Sequence, residues 1–213
     1  MKTDQLVAML ASSAGPADAS DVSRRWLAAL GWGGIGAALL MTLLLGVRGD
    51  LGDAIALPMF WMKLAFPLSL AVAAGFAVER LARPGVRLGS VPVALAAPVL
   101  VLWLMAAAVL LQAAPDERSA LIFGISWSEC PANIALISLP VFIASLWTMK
   151  GLAPTRLALA GAAAGLLAGA VGAAVYAIHC TEMAAPFLGV WYVLGMLIPA
   201  AAGALAGPFL LRW

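Results

Sequence analysis

Six long stretches of apolar residues alternate with short polar connections along the chain. They cover approximately residues 26–46, 58–78, 91–111, 131–148, 157–178 and 186–211. At a rise of about 1.5 Å per residue, each is long enough to cross roughly 30 Å of hydrocarbon as a helix. None shows the apolar and polar alternation of a barrel strand. The pattern therefore predicts an all-α membrane protein with six transmembrane helices.

Composition narrows the functional class. Of 213 residues, 64% are hydrophobic and only 10% are charged, and the mean hydropathy is +1.04. Soluble globular domains carry about 25% charged residues, so that class is excluded. A net charge of +2 is too small to indicate direct binding of nucleic acid. The partner that composition does indicate is the lipid bilayer.

Basic residues in the connections predict the orientation. Nine of the twelve Lys and Arg residues fall in the N-terminal segment, the second and fourth connections and the tail: Lys2, Arg24, Arg25, Arg80, Arg83, Arg87, Lys150, Arg156 and Arg212. Connections rich in Lys and Arg stay in the cytoplasm. Both termini are therefore predicted to be cytoplasmic, with residues 1–25 forming a cytoplasmic segment and residues 26–213 the transmembrane domain.

The N-terminal segment contains a short amphipathic helix, predicted to run from Thr3 to about Ser13. Its apolar residues cluster on one side: Leu6, Val7, Met9 and Leu10. A helix of this length is unstable alone in water, so it would fold best in the groove of a partner protein. The alternative is a helix lying on the membrane surface. Residues 15–20 are predicted to be a flexible tether to the first span.

Ionisable residues are scarce inside the predicted spans. Lys63 is the deepest, and its long side chain is expected to reach outward to water. No span has a central Asp, Glu, His or Arg, which argues against an ion-coupled carrier or a proton relay. No catalytic motif is present, so the chain is not predicted to be an enzyme.

Two cysteines, Cys130 and Cys180, are predicted to meet on the extracytoplasmic side, because the fourth and fifth spans form an antiparallel hairpin. In an oxidising compartment they could form a structural disulfide or a redox-responsive pair. With His179 and a carboxylate, Glu129 or Glu182, they could instead bind a soft metal ion. Unrelated free thiols are the remaining alternative.

Glycines recur every four residues in the last two spans. Gly161, Gly165 and Gly169 form one series, and Gly203 with Gly207 forms another. Such series let helix backbones approach closely. They indicate packing within the monomer or, alternatively, a homodimer interface.

Several short motifs in a fixed order resemble the NrsF family of membrane anti-sigma factors over essentially the whole chain. They are Met1-Lys2-Thr3-Asp4-Gln5-Leu6, Phe60-Trp61-Met62-Lys63, Glu129-Cys130-Pro131, His179-Cys180-Thr181-Glu182 and Trp191-Tyr192. The resemblance implies a multi-pass protein of the bacterial inner membrane that holds an extracytoplasmic-function sigma factor of the SigF type. It further implies that residues 1–25 bind the sigma factor.

The resemblance also implies a role for Cys130 and Cys180 in the response to heavy-metal or oxidative stress. The resulting hypothesis is a transmembrane anti-sigma factor that holds sigma through Leu6, Val7, Met9 and Leu10 and releases it when the cysteine pair responds. No resident cofactor is expected; a soft metal ion at the pair would act as the signal. The alternative is a small membrane thiol oxidoreductase or metal transporter that uses the same two cysteines.

Overall fold

A computed structural model of the chain describes residues 3–13, 19–83, 85–152 and 154–212. Those ranges contain ten α-helices: α1 (Thr3–Ser13), α2 (Ala19–Leu44), α3 (Leu51–Ile55), α4 (Pro58–Leu81), α5 (Val91–Gln112), α6 (Arg118–Phe123), α7 (Cys130–Lys150), α8 (Leu157–Tyr176), α9 (Ala185–Phe187) and α10 (Val193–Leu210). A π-helical turn, Leu188–Tyr192, joins α9 to α10 in one continuous rod.

Six helical segments are long and apolar enough to cross a membrane: most of α2, then α4, α5, α7, α8 and the α9–α10 rod. The prediction of an all-α protein with six such segments is therefore confirmed. The bounds predicted for α1 are also confirmed. Because α2 begins at Ala19, the end of the predicted N-terminal segment is helical and continuous with the first span, and residues 19 and 20 of the predicted tether belong to this helix. Residues 14–18 lie outside the described residues.

The central helix of the bundle is α8, which packs against α10, α7 and α4. Two thirds of its span (67%) is buried inside the protein, the largest share of the six. Its neighbours can approach closely because glycine presents no side chain: a methyl group at Gly165 would overlap the backbone of Pro199 and Ala200 on α10. The glycine series therefore serve packing within the monomer, and a homodimer stays a prediction.

Two helices are held less tightly at the edge of the bundle. Only 17% of the α2 span and 11% of the α5 span are buried. α2 packs mainly against α7, and α5 against α4 and α9. The remaining apolar surface of both helices is exposed, as expected of helices that face lipid.

The ends of the bundle differ in character. At one end, which we call the cysteine end, the connections after α2, α5 and α8 meet (residues 45–50, 113–129 and 177–184). At the opposite, basic end lie two clefts: one is lined by Arg25 and Lys150, and the other by Arg80, Arg83 and Arg156 among others. The candidate site is at the cysteine end.

Candidate functional site

Both cysteines lie in one buried cluster at the cysteine end. Cys130 is the first residue of α7, and Cys180 follows the last turn of α8. Both are free thiols, with exposed fractions of 0% and 3%. Tyr176 is buried in the same cluster, with an exposed fraction of 1%. The pair is therefore enclosed by side chains of the bundle.

Aromatic rings form the wall beside the thiols. The ring centroid of Tyr176 lies 5.6 Å from that of His179 and 5.9 Å from that of Tyr192. Both tyrosines are buried, and Tyr192 belongs to the π-helical turn of the last span. The wall therefore joins the end of α8 to the beginning of the last span.

Lys63 on α4 holds the segment that contains Cys180. Its Nζ donates hydrogen bonds to the carbonyl oxygens of Cys180 at 2.6 Å and Glu182 at 2.7 Å. It also lies 5.5 Å from the ring centroid of Tyr192. The expectation that this side chain reaches water is wrong, because Lys63 is 0% exposed. The two carbonyl oxygens belong to the connection after α8 and replace water as acceptors for the ammonium group.

Arg48 fixes the same segment to the end of α2. Two nitrogens of its buried guanidinium donate to the two carboxylate oxygens of Asp50, both at 2.7 Å. A third nitrogen, Nη1, donates to the carbonyl oxygen of Cys180 at 3.2 Å. The hydrogen bond from Arg48 lowers the pKa of the Asp50 carboxyl, and the same hydrogen bond raises the pKa of Arg48. The pair is therefore ionised at neutral pH.

Two more hydrogen bonds that involve the backbone join the connection after α2 to the connection after α8. The N–H of Arg48 donates to the carbonyl oxygen of Ile178 at 3.3 Å. Nδ1 of His179 lies 2.9 Å from the carbonyl oxygen of Gly46. The connection after α2 is thus bound to residues 178–180 along its length.

The connection between α6 and α7 is attached to the segment from its other side. Oε1 of Glu182 accepts a hydrogen bond from the N–H of Ile125 at 2.7 Å, next to the turn at Gly124, whose φ is +54°. A side chain at Gly124 would meet the Glu182 carboxylate. Trp191 donates from Nε1 to the carbonyl oxygen of Ile122 at 2.8 Å. Residues 177–184, which we call the Cys180 segment, therefore contact the connection after α2, α4 and the α6–α7 connection together.

The five candidate metal ligands are placed unequally. Cys130 and Cys180 share the buried cluster, whereas Glu129 is exposed. His179 and Glu182 already have the backbone partners described above. Within the described ranges, no three or more His, Cys, Asp or Glu residues are grouped so that they could hold a metal ion. The metal site stays a prediction.

Sequence reasoning did not single out Arg48, Asp50 or Tyr176 for this site. In the charge pattern, Arg48 is one of the three basic residues outside the parts of the chain predicted to be cytoplasmic. The signal that could have found it is the Arg48-Gly49-Asp50 sequence directly after a span, since opposite charges two residues apart indicate a fixed turn. Nothing in the sequence around Tyr176 indicates its position in the site, because this position depends on contact with Tyr192 of the last span.

At the other end of the chain, α1 presents apolar side chains. The exposed fractions are 39% for Leu6, 59% for Val7 and 57% for Met9. The side chain of Leu10, the fourth candidate sigma-binding residue, lies outside the described side chains. α1 therefore offers an apolar surface for contact with another molecule.

Comparison with known proteins decides the family. The profile of NrsF, described as negative regulator of sigma F, matches residues 10–213. The chain belongs to the NrsF family. It is 56% identical over 213 residues to the probable anti-sigma-F factor NrsF of Azospira oryzae, with all of both chains covered. It is 42% identical over 217 residues to the anti-sigma-F factor NrsF of Caulobacter vibrioides, again over all of both chains.

No solved structure matches this NrsF-family chain. The role of its relatives is regulatory rather than enzymatic. This agrees with the absence of catalytic motifs from the sequence and argues against the alternative of a thiol oxidoreductase.

Proposed function

We propose that this chain is an anti-sigma factor that holds sigma F at the bacterial inner membrane and thereby keeps it from RNA polymerase. The observation that carries the proposal is the match to two anti-sigma-F factors over the full length of all three chains. The six long apolar helices supply the membrane anchor.

The sigma-binding surface in this proposal is the apolar side of α1. Leu6, Val7 and Met9 are all exposed, and Val7 is the most exposed of the three. Burial of one such side chain in a partner's groove contributes about 1.5–3 kcal/mol. Three of them supply enough free energy to fold a helix that is too short to be stable alone.

The proposed orientation places α1 and the basic end of the bundle in the cytoplasm. Arg24 and Arg25 precede the apolar part of α2, and the two clefts at the same end carry further Arg and Lys side chains. Anionic lipid and the insertion machinery favour such a charge distribution on the cytoplasmic side. The cysteine end then faces the periplasm.

The signal proposed for release is a chemical change at Cys130 and Cys180. A peroxide would oxidise the two thiols to a disulfide: its O–O bond breaks, it takes up the two electrons and two protons of the thiols, and it leaves as two waters or as an alcohol and a water. A soft metal cation would instead displace the two thiol protons and bind both sulfurs. A disulfide holds its two sulfurs about 2.05 Å apart, closer than two free thiols can approach, so the closely packed side chains around the pair must adjust.

The test is affinity purification of the tagged chain from detergent-solubilised membranes, with a variant lacking residues 2–14 as the comparison. The proposal expects sigma F with the full chain and none with the shortened one. A variant with the control substitution Asp4→Asn, which keeps the apolar side of α1, should retain sigma F. Recovery of equal sigma F with and without residues 2–14 would place its binding site elsewhere, and its absence from every sample would refute the anti-sigma function.

A further inference from the structure

We propose that Arg48 transmits the state of the cysteine cluster to α2, and through α2 to the sigma-binding segment; this inference rests on the proposed function. Arg48 touches neither the sigma factor nor a thiol-reactive ligand in this scheme. It is a positioning residue, and four structural observations support its role.

The first observation is that the carbonyl oxygen of Cys180 is a shared acceptor. Lys63 Nζ approaches it from α4 at 2.6 Å, and Arg48 Nη1 approaches it from the connection after α2 at 3.2 Å. Any shift of the Cys180 backbone therefore changes two charge-assisted hydrogen bonds at once. The thiol and the acceptor belong to the same residue, so a covalent change at the sulfur acts on the acceptor through very few bonds.

The second observation is that Lys63 and Arg48 belong to parts of the bundle that are buried to different extents. Lys63 is on α4, which packs along the central helix α8. Arg48 follows α2, which is only 17% buried over its span. An element with few buried contacts is displaced at low cost. A movement of Cys180 is therefore expected to shift the Arg48 connection and α2 more than α4.

The third observation is that residues 46–48 form several hydrogen bonds with the Cys180 segment and that the orientation of the Arg48 guanidinium is fixed. Besides Nη1, the backbone N–H of Arg48 binds the Ile178 carbonyl, and His179 binds the Gly46 carbonyl. Asp50 fixes the plane of the Arg48 guanidinium through two hydrogen bonds of 2.7 Å. A planar fork held in this way transmits direction as well as distance, which a single flexible lysine would not.

The fourth observation is the continuity of α2. It runs without a break from Ala19 to Leu44, a helix of 26 residues. At about 1.5 Å per residue this is roughly 39 Å, enough to span the bilayer and emerge on the other side. A displacement at the Leu44 end of α2 therefore reaches Ala19, at the opposite end, through a helix without a break.

The test compares Arg48→Met with the control Arg118→Met. Arg118 is an exposed arginine at the same end of the bundle, where its Nε donates to the carbonyl oxygen of Ala113. Sigma F retained on membranes is measured before and after peroxide, at matched levels of membrane protein. We expect Arg48→Met to retain about tenfold less sigma F without peroxide, the same loss that oxidation is expected to cause in the wild type, and to show no further release with peroxide. Arg118→Met should behave as the wild type does.

Wild-type retention together with wild-type release in Arg48→Met would overturn the inference while leaving the proposed function intact. If Arg48→Met does not accumulate in membranes, Asp50→Asn is the deciding variant, because it removes the carboxylate that orients the Arg48 guanidinium but keeps the Nη1 donor itself. Partial release without peroxide in that variant supports the inference, and wild-type behaviour overturns it. Failure of the wild-type chain to retain sigma F would instead refute the proposed function, and this inference with it.

Discussion

The ammonium of Lys63 lies 2.6 Å from the carbonyl oxygen of Cys180, although 117 residues separate the two along the chain. A lysine within a membrane span is costly unless its charge is satisfied by the protein. Here a second carbonyl, that of Glu182, accepts another of its N–H groups at 2.7 Å. Lys63 therefore binds the end of α8 to α4 from inside the bundle.

Replacement of Lys63 tests this attachment. In Lys63→Met the carbonyl oxygens of Cys180 and Glu182 both lose the Lys63 donor. Cys180 keeps its hydrogen bond from Arg48, whereas the lost donor at Glu182 costs about 1–3 kcal/mol. We expect a clear decrease in the unfolding temperature of the protein purified in detergent. Lys150→Met is the control, since Lys150 is exposed at the other end of α7. Equal unfolding temperatures for the two variants would show that the Lys63 hydrogen bonds contribute nothing to stability.

Single substitutions of the cysteines test the sensing step. Cys130→Ser and Cys180→Ser each leave one thiol, which cannot close a disulfide within the chain and binds a soft metal less tightly than two. We expect both variants to hold sigma F after peroxide or a soft metal cation, while the wild type loses affinity about tenfold, equivalent to 1.4 kcal/mol. Sigma F bound to membranes is the readout, with reductant added after treatment as the control for reversibility. Release by both serine variants at the wild-type dose would exclude the cysteine mechanism.

Packing of α8 against α10 gives a prediction about glycine. In Gly165→Ala the new methyl group meets the backbone of Pro199 and Ala200, so the helices must separate. Overpacking of this kind costs about 1–3 kcal/mol. The matched control is Gly75→Ala on α4, where no atom lies within 4 Å of the added methyl group, and alanine there should be neutral or slightly stabilising. Thermal unfolding in detergent distinguishes the two, and equal effects would contradict the tight helix contact.

The ion pair between Arg48 and Asp50 predicts a dependence on pH. Its hydrogen bond from Arg48 lowers the pKa of Asp50 in the folded protein. The stabilisation is therefore complete above the unfolded carboxyl pKa of about 3.9 and is lost as pH falls through the lower folded value. We expect the unfolding temperature of the wild type to fall towards that of Asp50→Asn below about pH 4. Between pH 5 and 8 the difference should be constant; a difference that persists unchanged at pH 3 would argue against the pair.

Hydropathy was sufficient to predict the six membrane-crossing helices, because each is defined by the character of its own residues. The predicted first residue of the second, third and fifth spans coincides with that of α4, α5 and α8. The bounds of α1 were also predictable, from the apolar residues that cluster on one side of it. α2 was predicted to begin seven residues too late, since its first turns are polar and a hydropathy pattern does not register them.

The contacts of the candidate site were not predictable in the same way. Lys63 is a long charged side chain near the end of a span, which by itself predicts that it extends to water. Only the folded structure brings two carbonyl oxygens within hydrogen-bonding distance of it. Arg48 contributes to the charge pattern like any other basic residue, whereas its place in the structure depends on the carbonyl of Cys180, 132 residues later. Interactions of this kind depend on where two distant backbones meet, which residue periodicity does not encode.

Direct binding of sigma F to the purified chain in lipid nanodiscs tests the central claim, that α1 holds the sigma factor. The variants are Val7→Asp and, as a control at the same exposed position, Val7→Leu. We predict that sigma F binds the wild type and Val7→Leu with similar Kd. Val7→Asp should bind at least about tenfold more weakly, since an apolar contact worth about 1.5–3 kcal/mol is replaced by a carboxylate. Equal affinity for Val7→Asp, or no binding to the wild type, would contradict the claim.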